Sequence, residues 1–194
     1  QDFYSDKTKN TMIELGFSGP SNNDVKGMIC YSLIGDILTK NSNSRLNEVL
    51  KQYNSSAGFA SEKIGCRPQD PTVLFCNADT NEKDCEKVLQ EIFNQIYSIT
   101  TNQDYDLEAL KKVKLLNLSF VYENSHMLNS MIGNGLLNGN LDSVTNYANI
   151  LQSITKDDLA DFAKKYLDLN RVVVTVTHPE QKENSSVVSF TGRN

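Results

Sequence analysis

The chain has 194 residues, 39% of them hydrophobic and 22% charged, which is enough apolar material for the core of one large domain. Its net charge of −5 argues against a nucleic-acid or anionic-membrane binder, because neutralising phosphates takes clustered Lys and Arg. No apolar run is long enough to span a bilayer and no signal-peptide pattern opens the chain. A first residue Gln1 in place of Met points to processing or to excision from a longer parent.

Thr11 to Ser18 alternates apolar with polar residues and predicts a strand, ended by the turn signal Gly19-Pro20-Ser21-Asn22-Asn23. A helix capped by Asn23 or Asp24 follows, with Val25, Met28, Ile29, Ile34, Ile37 and Leu38 as its apolar stripe. Asn41 to Asn43 break it, and Ser44 can cap a shorter helix through Leu46, Val49, Leu50 and Tyr53. Ser56 to Arg67 and Thr72 to Ala78 read as two strands around the Pro68 and Pro71 turn, an antiparallel hairpin.

The second half is helical. Thr80 or Asn81 caps a helix with the stripe Val88, Leu89, Ile92, Phe93, Ile96 and Tyr97. Asp106 starts another, through Leu107, Leu110, Val113 and Leu116 towards Val121. A third runs from about Ser125 to Leu137, interrupted at Gly133 and Gly135, and Ser143 to Leu151 is a short fourth. Thr155 with Asp158 forms a capping-box pattern ahead of Leu159, Phe162, Ala163 and Tyr166. Arg171 to Thr177, rich in β-branched residues, is the strongest strand signal; beyond Pro179 the chain turns polar, and Val187 to Phe190 reads as a short strand or tether. Strands grouped apart from a helical block predict an α+β fold, with helices packed on one face of a mostly antiparallel sheet.

Chemistry is sparse. Only two histidines exist, His126 and His178. Glu123 and His126 stand one helical turn apart and could supply two metal ligands, but nothing nearby completes a site. His178, before Pro179, reads as an edge or loop histidine. Cys30, Cys66, Cys76 and Cys85 contain no C-x-x-C pair and read as four separate buried thiols in preference to a disulfide framework. The run Gly133 to Gly139 lacks the strand before it and the Lys-Ser/Thr end of a phosphate loop. Asp104 with Asp106, and Asp157 with Asp158, sit at helix starts, where acids favour the macrodipole.

The ordered succession Thr11 to Pro20 (TMIELGFSGP), a long helix, Ile37-Leu38, Ser44-Arg45-Leu46 through Leu50, and Gly58-Phe59-Ala60 resembles the pitrilysin/insulinase family of zinc metallopeptidases. Ile154-Thr155-Lys156-Asp157-Asp158-Leu159 is similar to the family's I-T-x-x-D-L helix start. Ala163 to Leu167 with Asn170-Arg171-Val172 is similar to its passage into the last strand. Family members pair homologous half-domains, one carrying H-x-x-E-H, a motif this sequence lacks. The resemblance therefore implies a non-catalytic half-domain over residues 1–179 with a polar linker or tail at 180–194. It implies no zinc in this chain and zinc in a homologous catalytic half, carried by the same chain or by a partner subunit. This chain would then be inactive alone, contributing chamber wall, substrate grip and domain interface for proteolysis of peptides or unfolded segments. The family's substrate-contacting Arg and Tyr fall nearest Lys51 and Phe59, at a spacing one residue longer. Lys keeps the charge without the planar fork, and Phe lacks the hydroxyl. A scaffold or interaction subunit with the same fold is the alternative, and a small enzyme built on Glu123 and His126 is a third reading.

Overall fold

The computed structural model describes residues 1–5, 8–40, 44–65, 67–137 and 139–180. It opens with a short strand, β1 (Asp2–Ser5), ahead of β2 (Thr11–Ser21). Period-two alternation puts Ile13, Leu15 and Phe17 inward, each no more than 2% exposed, while Met12 and Glu14 face out. β2 does not stop at Gly19. It runs on to Ser21 through an irregularity in its pairing between Ser18 and Ser21. A side chain at Gly19 would clash there, since a Cβ would lie 2.3 Å from Thr72 Oγ1, the hydroxyl that donates to Pro20 O at 2.9 Å.

Asp24 caps helix α1 (Val25–Gly35) by accepting from Gly27 N–H at 2.8 Å, and the helix widens into a π turn over Asp36–Lys40. After α2 (Arg45–Leu50) and a 3₁₀ turn (Lys51–Tyr53), Asn54 takes a left-handed φ of 50° and starts the hairpin β3 (Ser56–Lys63) and β4 (Pro71–Thr80). The first hairpin strand thus ends at Lys63, short of Arg67. Ser44 precedes α2 as expected but makes no side-chain capping bond. Asn41 to Asn43 and Cys66 lie outside the described residues.

A 3₁₀ turn at Glu82–Asp84 leads into α3 (Cys85–Thr101), so Asp84 and not Thr80 or Asn81 borders the α-helix. Its inward residues are Val88, Ile92, Ile96 and Ile99; Tyr97 is 63% exposed. Asp106 caps α4 (Leu107–Glu123), accepting from Ala109 N–H at 2.9 Å. The buried face of α4 is Leu107, Leu110, Lys111 and Leu118, with Val113 and Leu116 outside. α5 (Ser125–Leu137) passes through Gly133 and Gly135 without a break. The segment after it divides into α6 (Asp142–Thr145) and α7 (Tyr147–Ser153) at Asn146.

α8 (Lys156–Tyr166) begins with the complete Thr155–Asp158 capping box, and β5 (Val173–Pro179) ends the described fold after a 3₁₀ turn at Leu169–Arg171. The sheet order is β1-β5-β2-β4-β3, antiparallel throughout except for the parallel pair β1–β5. Its inner face meets α1, α3 and α8 in one core that includes Leu33, Ile34, Leu74, Ile92 and Leu159, all fully buried. The architecture is α+β, with the helices on one face.

Candidate functional site

The segment Arg45 to Phe59 is held by its own polar side chains. Arg45 donates to Asn102 O at 3.2 Å and to Asp104 O, and its guanidinium stands 5.7 Å from the Tyr105 ring centre. Asn47, unremarked in the sequence pattern, donates to Thr39 O at 2.8 Å, and its Oδ1 accepts from Ala57 N–H at 2.8 Å. One amide thus links the π turn, α2 and the start of β3. Such a bridge leaves no periodic signature in a sequence.

Lys51 follows α2 on the surface, 66% exposed, and its ammonium donates to Glu48 Oε1. Phe59 points to the helical side of the sheet. Its ring meets Tyr31 edge-on at 5.9 Å, and a Cβ at Gly35 would lie 3.1 Å from the Phe59 Cβ. The Tyr31 hydroxyl lies 2.6 Å from Phe75 O and 2.9 Å from Ala60 O, pinning α1 to the β3–β4 hairpin; burial raises its pKa, so it stays a neutral donor. Phe59 accordingly anchors β3 to the core, while Lys51 faces solvent.

The other face of the sheet carries no helix of the described chain. Gly16 stands between Phe75 and Val173 in the ladders, and these with Glu14, Ser18 and Val73 border a concavity of ≈ 490 Å³. Val173 is 68% exposed and Met12 48%. The face is shallow, apolar at its centre and polar at its edges.

The remaining sequence candidates disperse. Glu123 ends α4 and His126 lies in α5, on separate helices, because Asn124 adopts extended geometry between them and accepts from His126 and Met127 N–H at 3.1 Å. His178 is not on an edge strand, since β5 lies between β1 and β2. Its ring stacks on Tyr4 at 5.3 Å, with Asp2 Oδ1 3.6 Å and Glu82 Oε1 3.8 Å from its nitrogens. Cys30 and Cys76 are buried, their pKa values pushed up to about 12 by desolvation. Of the paired acids, Asp106 and Asp158 cap helices, whereas Asp104 offers its carbonyl to Arg45, and Asp157 accepts from Gln103 Nε2 at 3.1 Å. Among the described residues no group of three or more His, Cys, Asp or Glu is placed to hold a metal ion. No helix of the described chain is long and apolar enough to cross a membrane.

This geometry, a one-faced α+β layer without a ligand cluster among the described residues, has relatives. Residues 1–114 match the model of the Peptidase M16 inactive domain, and the chain belongs to that family, the pitrilysin/insulinase type. Comparison with curated protein sequences finds no match. Among solved structures, a protease from Helicobacter pylori superposes with a TM-score of 0.80 at 17% identity, over 92% of this chain and 43% of that one. The inactive peptidase domain of a candidate zinc protease from Bordetella parapertussis gives 0.75 at 15%, over 95% and 99%. A chain of Complex III2 from Candida albicans gives 0.69 at 14%, over 91% and 45%. The chain thus spans less than half of the Helicobacter protease, and these identities establish the fold alone.

Proposed function

We propose that this chain is a non-catalytic half-domain, residues 1–179 with 180–194 as linker or tail, that works beside a homologous catalytic half in the proteolysis of peptides or unfolded segments. One observation carries the reading: a match to the inactive peptidase domain in a sequence without H-x-x-E-H. The chain's own residues do not fit a catalytic zinc. Its two histidines lie on α5 and β5, and neither belongs to a group of three or more His, Cys, Asp or Glu placed to hold a metal among the described residues. Zinc, and the activated water that attacks the amide, belong in this reading to the catalytic half.

The open sheet face supports a role as chamber wall, being concave, solvent-facing and free of helices from the described chain. Outward apolar residues on α4 and α5, Leu116 at 57%, Phe120 at 58% and Leu137 at 81% exposure, support a domain interface. Lys51 supports substrate grip as an exposed cation, and Phe59 as the anchor that sets the position of β3 beside it. Replacing Lys51 by Met in the zinc-loaded parent should raise KM for peptide cleavage by about tenfold with kcat and zinc content unchanged, the signature of lost uniform binding. An unchanged KM removes Lys51 from the grip.

The alternative is a scaffold subunit, favoured by the fold shared with a chain of Complex III2. It predicts a partner that also lacks H-x-x-E-H, and sequencing the parent or partner decides between the two.

A further inference from the structure

A second cavity lies on the helical side, where the N-terminal part of α1 faces α5, α7 and the end of β3. It measures ≈ 420 Å³, within the range of small-molecule sites, and much of its wall is apolar, including Met28, Ile29 and Met131. Methionines adapt to ligands of variable shape. Three polar groups in its lining stand out. Lys63 ends β3 with its ammonium paired to no acid among the described residues. Tyr147 borders the cavity with a hydroxyl that meets no partner among the described residues, and burial raises its pKa and keeps it a donor. Asn22, 5% exposed, donates from Nδ2 to Arg67 O at 3.1 Å, but its buried Oδ1 accepts nothing among the described residues.

Lys63 is exposed to solvent, and with the Tyr147 phenol it brings a cation and a hydroxyl donor to one largely apolar cavity, a combination that suits an anionic acceptor. Asp36, a carboxylate whose charge reaches Tyr147, is already matched: it lies 2.5 Å from Lys114, which also donates to Ser32 in the cavity lining. We propose that this cavity binds a small apolar carboxylate, its tail against Met28 and Met131 and its anionic head at Lys63 and Tyr147. Two sources share that chemistry, a medium-chain fatty acid and the free C-terminus of an apolar peptide. Neither depends on the half-domain reading.

The test is titration of the ¹⁵N-labelled 194-residue chain with octanoate, 1-octanol, and a short leucine-rich peptide as free acid and as amide. Octanoate should bind at least tenfold more tightly than 1-octanol, with amide shifts centred on α1, α5 and Lys63. Lys63→Met, which keeps the aliphatic stem at a surface position, should weaken octanoate by about tenfold and leave 1-octanol unchanged. Tighter binding of the free-acid peptide than of octanoate identifies a chain terminus as the ligand; the reverse identifies a fatty acid. Equal affinity for octanoate and 1-octanol, shifts confined to the open sheet face, or an unaltered octanoate affinity in Lys63→Met overturns the proposal.

Discussion

Asp158 acts on two elements at once. Its backbone N–H donates to Thr155 Oγ1 at 3.2 Å, its Oδ2 accepts from Thr155 N–H at 2.8 Å, and its Oδ1 accepts from Lys26 Nζ at 2.6 Å, tying α8 to α1. Burial pushes its pKa up, but the bonds from Lys26 and Thr155 outweigh this and leave it below the usual carboxylate value. A depressed folded-state pKa contributes stability that is complete above the unfolded value, about 4, and is lost as pH falls through the folded value. Asp158→Asn should therefore cost about 1–2 kcal/mol at pH 7, the lysine pair being half exposed and worth little by itself. In urea titrations the gap to the parent should close as pH drops below about 4; a gap that persists undiminished to pH 3 contradicts this assignment. Lys114 presents the buried counterpart. With Asp36 it forms a pair only 12% and 14% exposed. Lys114→Met leaves that carboxylate with the more distant Lys40 alone and should cost about 3 kcal/mol, most of it recovered in the double variant Asp36→Leu/Lys114→Met, by denaturant midpoints.

At the level of elements, the residues that could be read in advance were those whose burial follows a period. Ile13, Leu15 and Phe17 alternate, and β2 forms where that alternation lies; Thr155 and Asp158 mark the start of α8 by capping chemistry alone. α4 misleads for a physical reason. Lys111, 6% exposed, turns inward to Glu108 Oε1 and Gln152 O, and Lys114 turns inward to Asp36, so the buried face carries lysines and the apolar count points to Val113 and Leu116 instead. β1 has no alternation to read. Its side chains are exposed or only partly covered, and its ladder partner Val176 lies at the far end of the chain. The glycines of α5 divide in the same way. Gly133 has open space where a Cβ would go, whereas at Gly135 one would meet Val144 at 3.1 Å and the Asn140 carbonyl at 3.2 Å. Gly133→Ala should raise stability by about 0.5–1 kcal/mol through helix propensity alone. Gly135→Ala should give no such gain, since a backbone carbonyl yields less readily than a side chain. Equal gains from the two, measured by thermal and urea unfolding, would show that the α5–α6 contact is looser than described.

For the whole molecule, the family is legible because its motifs coincide with structural clamps. Arg45 of the Ser-Arg-Leu motif braces the loop at Asn102 and Asp104, and the Ile-Thr-Lys-Asp-Asp-Leu motif is the α8 capping box. The site is less legible, because Lys51 and Phe59 are singled out by resemblance alone, and the open sheet face is a property of what packs on one side only. In the proposed function, this half of the peptidase architecture depends on another half for its chemistry. The most direct test of this dependence measures zinc content and cleavage of a quenched fluorescent peptide for the purified 194-residue chain, alone and after addition of a homologous H-x-x-E-H half-domain. The chain alone should hold no stoichiometric zinc and cut nothing, and cleavage by the mixture should exceed that of the catalytic half by itself. Tight one-to-one zinc with peptide cleavage by this chain alone would contradict the account.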